Sequence, residues 1–535
     1  MATMMCAVPT LMPTAAKVGR QQTVRSRAVR VAAKPAVRQF VASAFRTNVL
    51  SKGAVAKRAS VAVRAQAPVK ADEAPAVQEA PVAKSAVAKV VPAVLAAAAC
   101  LVAAGPASAT AATVVAADTA WILTSSALVL FMTIPGLGAF YAGLVKKSSM
   151  VSVLMQCFAC CCMISVMWYT VGYSLCFGAG NGFIGDFSNV FLKNVTTASV
   201  NGTIPEALWV LFQMTFAIIT PALMIGSFVE RMKFNAVMTY FALWMFAVYF
   251  PACHMVWGDG LMAQLGVLDF AGGIVVHITA GIGALVGCIE LGKRKENVMA
   301  VNNLMLTCLG TGMLWVGWYG FNGGSAVAAG SGAAFAALAT QISAATAACV
   351  WLLQDIKESG KSSLLGMCTG SIAGLAAVTP AAGFISPLGA LCIGAISGVV
   401  CRFFSFTVKE HFDYDDSLDV FGVHGVGGFV GTILLGIFGN PFFGGFNNVP
   451  MLTQTGIQIA AALATTLYTA VASYACLKLT GLICGGIRVP DEAEVGGVDE
   501  YSHGEMIYVE EPPVLPTVSQ AAPVPAPATT NIPAN

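Results

Sequence analysis

The feature that most constrains this chain is a succession of apolar segments, each long enough to cross a bilayer as a helix. They fall at about 119–145, 149–176, 207–229, 235–257, 270–291, 301–322, 327–353, 363–383, 386–404, 420–440 and 453–477, eleven in all. A span of the hydrocarbon core takes about 20 apolar residues in a helix. Helices are the economical choice because each satisfies its own backbone where no water can. Composition agrees: 57% of the 535 residues are hydrophobic and 10% are charged, against about 25% charged in a soluble domain. The expected fold is an all-α polytopic membrane protein, which excludes a soluble enzyme.

The charges between the segments provide an independent check. Lys146 and Lys147 follow the first segment, Arg231 and Lys233 the third, and Lys293, Arg294 and Lys295 the fifth. Lys357 and Lys361 follow the seventh, Arg402 and Lys409 the ninth, and Lys478 and Arg488 the eleventh, whereas the other loops carry only Lys193. By the positive-inside rule the domain starts outside and its C-terminus lies inside. The loop with Lys193 also holds "NVT" and "NGT", which have the form of glycosylation acceptors.

Outside the segments the composition changes. Residues 1–71 contain thirteen Lys or Arg and no acidic residue, the pattern of an organelle transit peptide. Residues 72–117 pass from a Pro/Ala-rich linker into "KVVPAVLAAAACLVAAGPASATAA", a signal-like segment that is short for a span and ends in small residues. Two signals in series resemble presequences that send proteins of algae and plants to the thylakoid; an additional weak membrane helix is the other reading. The eleven-segment domain covers 118–480. An acidic tail over 481–510 reads as a docking segment on the inner face, and the Pro/Ala-rich 511–535 as disordered. The net charge of +3 averages a basic start against this acidic tail, and no nucleic-acid partner is expected.

Five histidines occur in the chain, and two lie in glycine-rich apolar segments: His277 in "LDFAGGIVVHITAGIGALVGC" and His424 in "DVFGVHGVGGFVG". Ionisable groups at membrane depth are costly and face a partner or a path. An imidazole can offer one nitrogen as donor and the other as acceptor, so two rings in glycine-rich segments suit a narrow chain of hydrogen-bond sites. A packing role is the alternative for either ring alone. No third His or Cys stands at ligand spacing, so neither a metal nor a cofactor is expected, and the 16 cysteines read as small buried hydrophobes. Asp269 and Asp419 precede the fifth and tenth segments as helix N-caps, with a local field that favours a cation. Gln213 and Phe216 meet Trp257 only if the helices fold back on one another, which periodicity does not decide.

Taken together, "GAFYAGLVKKSSM", "FQMTFAIITPALMIGSFVERMKF", "HMVWGDG", "LDFAGGIVVHITAGIGALVG", "GWYGFNGGS", "DDSLDVFGVHGVGG" and "GGIRVPDEAEVGGVDEYSHGE" closely resemble the ammonium transporter family, in the Amt branch of the Amt/Mep/Rh superfamily. The resemblance covers roughly residues 118–508. It implies the Amt-type fold: eleven transmembrane helices with two pseudo-twofold related five-helix repeats, assembled in the bilayer as a homotrimer with one pore per subunit. It implies that Trp257, Phe216, Ser325 and Asp269 recruit ammonium, and that Phe216 and Phe321 close the outer mouth. His277 and His424 then line the pore, with Gln213 and Asp419 in support. The tail matches a segment that packs on the inner face and offers a place for a stromal regulator. Tyr501 departs from the regulatory threonine of plant relatives, with Ser502 beside it.

The implied activity is non-enzymatic transport: ammonium is stripped of its proton at an aromatic vestibule, and ammonia crosses along the two histidines, with or without the proton. An electroneutral Rh-like ammonia/CO2 channel and an ammonium sensor are the alternatives; a purely structural membrane protein is disfavoured by the ordered aromatics. The presequence implies a chloroplast membrane, either thylakoid or inner envelope, with the mature N-terminus in the lumen or intermembrane space and the C-terminus in the stroma.

Overall fold

The computed structural model describes residues 113–296 and 301–508, so the transit-peptide reading of 1–71, most of the 72–117 segment and the disordered-tail reading of 511–535 lie outside the described residues. The fold is all-α. Its membrane-length helices are α1 Ala116–Ala142, α2 Lys147–Phe177, α3 Glu206–Phe228, α4 Phe234–Gln264, α5 Gly273–Leu291, α6 Leu304–Gly323 and α7 Ser331–Ser359. After a shorter helix, α8 Leu364–Val378, come α9 Pro387–Phe412, α10 Phe421–Phe438 and α11 Met451–Cys484. A two-residue hairpin, β1 Val200–Asn201 with β2 Ile204–Pro205, precedes α3.

Among the described residues, ten helices are long and apolar enough to cross a membrane, one fewer than the eleven segments expected. The eighth segment, expected over 363–383, is helical for only 15 residues, or about 22 Å at 1.5 Å per residue. It ends at Thr379–Pro380, where the Pro380 carbonyl accepts the Phe270 N–H at 3.0 Å instead of continuing a helix. The same Thr-Pro pair at Thr220–Pro221 lies inside α3, which runs on to Phe228.

The centre of the bundle is set by the crossing of α5 and α10. A Cβ on Gly281 would lie 2.2 Å from the Cα and N of Gly425, and one on Gly428 would lie 2.7 Å from Gly273 O and His277 Cβ. Only hydrogen at these positions lets the two backbones touch, as in other closely packed membrane helices. Each glycine stands four residues after a histidine, so the closest approach of the helices brings His277 and His424 together. Both histidines sit in wide π-type turns, Gly273–Ile278 and Phe421–Gly425, a local geometry often found at functional positions.

One end of the bundle is basic and densely cross-linked. Arg231 is 1% exposed, donates to Ser227 O, Gly292 O and Asp415 O, and pairs with the Asp415 carboxylate at 3.1 Å. Arg294 grips the same carboxylate through Nε and Nη2 at 2.8 and 2.6 Å. Burial works to raise the Asp415 carboxyl, but hydrogen bonds from Arg294 and the charges of both arginines outweigh it and hold it at about 2. After α11 the chain packs on this same end. Arg488 donates to Leu291 O and Lys293 O, and two short helices follow, α12 Asp491–Gly496 and α13 Val498–His503, the second packed against the start of α2. There the buried Asp499 carboxylate accepts from the N–H groups of Val151 and Ser152, capping α2 from a distant part of the sequence.

Candidate functional site

The candidate site is a column of side chains running through the bundle. At the hairpin end, Trp257 ends the long helical run of α4, before its last short turn Leu261–Gln264, and its indole donates to the Asp269 carbonyl at 2.9 Å. Its ring stands edge-on to Phe216 of α3, with centroids 5.7 Å apart. Phe216 lies in turn against Phe321 of α6 at 4.3 Å and 33°, and both rings are buried. Beneath them Phe321 is 6.0 Å from the His277 ring, and His277 is 5.2 Å from His424 with the rings nearly parallel. The helices therefore do fold back so that Phe216 meets Trp257, the condition periodicity left open.

The histidine pair is joined Nδ1 to Nδ1 at 3.2 Å. Such a bond needs one donor and one acceptor, so two doubly protonated rings are excluded and at most one carries charge. Trp318 stacks on His277 at 5.6 Å and 19°, and its indole is anchored by donation to Thr379 Oγ1. The His277 Nε2 atom is buried and has no protein partner among the described residues.

The remaining expected residues take definite places. Ser325 turns its hydroxyl back onto Phe321 O at 2.8 Å. Gln213 lies one turn before Phe216, buried, with Oε1 unpartnered among the described residues. Asp269 caps α5: one carboxylate oxygen accepts from Gly272 and Gly273, the other from Ile274 and Val275, at 2.7–3.1 Å. Every favourable lone-pair direction thus faces backbone, which leaves Asp269 no carboxylate lone pair free for a direct ligand.

Asp419 does not take the capping position expected for it. Its carboxylate pairs with Lys409 at 2.7 Å, and Asp416, three residues earlier, accepts from the Phe421 N–H at 2.8 Å. The reason is local: Asp419 has φ +58, which turns it away from the start of α10 and toward α9. Asp416 was missed although its signal was present, since it stands eight residues before His424 as Asp269 stands eight before His277. Trp318 and Thr379, which hold the His277 ring, carry no comparable sequence signal. Among the described residues, no group of three His, Cys, Asp or Glu is placed to hold a metal ion.

The chain has clear relatives among known proteins. Residues 120–508 match the Ammonium Transporter Family. The chain is 44% identical over 398 residues to an ammonium transporter of Aquifex aeolicus, covering 73% of this chain and 93% of that protein. The crystal structure of Candida albicans Mep2 superposes with a TM-score of 0.67 at 33% identity, over 75% of this chain and 94% of that one. A structure described as a Sensor Amt Protein does so with a TM-score of 0.68 at 25% identity, over 72% and 98%. A match spanning the ten long helices, the paired histidines and the packed tail leaves one conclusion: the chain belongs to the ammonium transporter family.

Proposed function

We propose that this protein moves ammonium across a membrane by separating the proton from ammonia at the hairpin end and passing ammonia along His277 and His424. The observation that carries this reading is the hydrogen-bonded histidine pair, buried beneath two closely packed phenylalanines in an otherwise apolar column. Trp257, Phe216 and Ser325 form the recruiting vestibule: aromatic faces attract a cation, and a hydroxyl can turn from Phe321 O to accept from it. Asp269 adds the field of a buried carboxylate, and Gln213 supports the same wall. A bare cation moved past Phe216 and Phe321 would lose its hydration with little in return, which favours release of the proton there. The two rings close the outer mouth and must swing apart for each passage.

The basic end is the inner face, as its lysines and arginines suggest, and the packed tail over 481–510 is a docking surface there for a regulator on the C-terminal side. The shorter α8 counts as the eleventh crossing. The repeated Asp-x7-His-x3-Gly pattern in α5 and α10 supports two related five-helix repeats, and the assembly is a homotrimer in the bilayer. The transit-like and signal-like segments support a chloroplast membrane, with the vestibule in the lumen or intermembrane space and the tail in the stroma. A sensor that signals through its tail is the second reading, favoured by the likeness to the Sensor Amt Protein. Radiolabelled methylammonium uptake with simultaneous current recording in oocytes separates them. Saturable uptake with current supports the transporter, flux without current the Rh-like channel, and neither the sensor.

A further inference from the structure

The two capping carboxylates of α5 and α10 occupy matching places but are not equally satisfied. Asp269 accepts four backbone N–H groups with its two oxygens. Asp416, eight residues before the other histidine, accepts from Phe421 with Oδ2 only. Its Oδ1 is buried and has no partner among the described residues, while the residue as a whole is 1% exposed. A buried carboxylate oxygen without a donor is costly, and the cost is relieved by a proton or by a donor that arrives from elsewhere.

The surroundings place this carboxylate at the basic end of the bundle, capping the turn Phe421–Gly425 that carries His424. The segment Asp416–Asp419 is wedged against the end of α3 by donation from Ser417 and Leu418 to the carbonyls of Ser227 and Gly226. Gly226 faces both the Tyr141 ring of α1 and Val420. The titratable groups that act on Asp416 are Lys409 of α9 and Asp419 beside it, while its own charge is felt by Tyr141 of α1, Cys288 of α5 and Tyr414. Burial pushes the Asp416 carboxyl up to about 6, against the Lys409 charge and with Asp419 adding to the rise.

We infer that Asp416 is the inner proton donor of the transport cycle, protonating ammonia as it leaves His424. In that step the carboxyl O–H bond breaks and an N–H bond forms, giving ammonium and carboxylate; the carboxylate then takes a proton from the inner aqueous phase. The acid is far stronger than ammonium, so the transfer runs toward release. The asymmetry of the two caps thereby serves direction: the outer carboxylate is saturated and shapes the helix, and the inner one keeps an oxygen for chemistry. The inference rests on the proposed transport of ammonium.

The test is Asp416→Asn, which keeps an oxygen to accept from Phe421 N–H and removes the exchangeable acid. Purified protein in oriented proteoliposomes is given radiolabelled methylammonium outside, and initial rates are read with the inner pH stepped from 7.5 to 5.5. The expected result is a wild-type rate that rises as the inner pH falls through about 6. For Asp416→Asn the rate is at least about tenfold lower and flat over that range, and Asp416→Glu recovers the slope. A wild-type rate and slope in Asp416→Asn overturn the inference and leave only a cap. No uptake by the wild-type protein sinks the transport reading itself, a distinguishable failure.

Discussion

One methyl group at Gly281 is expected to uncouple the histidine pair without unfolding the bundle. In Gly281→Ala the new Cβ would lie 2.2 Å from Gly425 Cα and N, where carbon atoms ordinarily rest about 3.5–4.0 Å apart. The shortfall is about 1.3–1.8 Å, and the opposing atoms are backbone, which has no rotamer to yield. If α5 and α10 part by the smaller of these values, the Nδ1 atoms of His277 and His424, now 3.2 Å apart, move to roughly 4.5 Å, past hydrogen-bond range. Overpacking of this kind costs about 1–3 kcal/mol, which a large bundle survives. The assay pairs size exclusion and thermal stability in detergent with methylammonium uptake. Gly281→Ala should elute as the wild type does, melt modestly lower and transport little. Gly456→Ala, whose added Cβ meets nothing within 4 Å, is the matched control and should be unchanged. Wild-type uptake by Gly281→Ala would refute the argument that the glycine crossing positions the rings.

Three further outcomes follow from the basic end and the tail. Arg231→Met leaves the Asp415 carboxylate short of one partner and three carbonyls short of a donor, so stability should fall by about 3–5 kcal/mol, read by thermal melting. Asp415 is depressed in the folded state to about 2, so its contribution is fully present above the ordinary carboxylate range and is lost as pH falls toward 2; melting temperature should show no Asp415 step between pH 5 and 8. Gly497 has φ +111 and a Cβ there would lie 2.1 Å from Ser148 Oγ, so Gly497→Ala should release the tail and make it sensitive to protease within residues 485–508 while the helices stay resistant.

Much of this architecture is legible in the sequence because the membrane enforces simple rules. Apolar length and alternating loop charge locate the helices, and two histidines in apolar glycine-rich segments are conspicuous on grounds of cost alone. What escapes is decided by contacts between distant segments. Thr220–Pro221 and Thr379–Pro380 read alike, yet only the second stands at a helix end, where its carbonyl accepts from the distant Phe270 N–H. Arg231 reads as a topological charge at the end of α3 and is instead a buried tie among three loops. Asp416 and Asp419 stand three residues apart, and only the backbone turn at Asp419 shows which of them caps α10. The stacking of Trp318 on His277 joins side chains of two helices, α6 and α5, and has no linear signature.

The central claim is that the hydrogen-bonded pair of imidazoles is the working part of the path. Purified wild type, His277→Ala and His424→Ala should be reconstituted in proteoliposomes, with methylammonium uptake and ammonium-evoked current measured on the same preparations. The account predicts saturable wild-type uptake and, in each variant, correct assembly with changed rate or changed selectivity against potassium. Uptake, current and selectivity equal to wild type in both variants would contradict it.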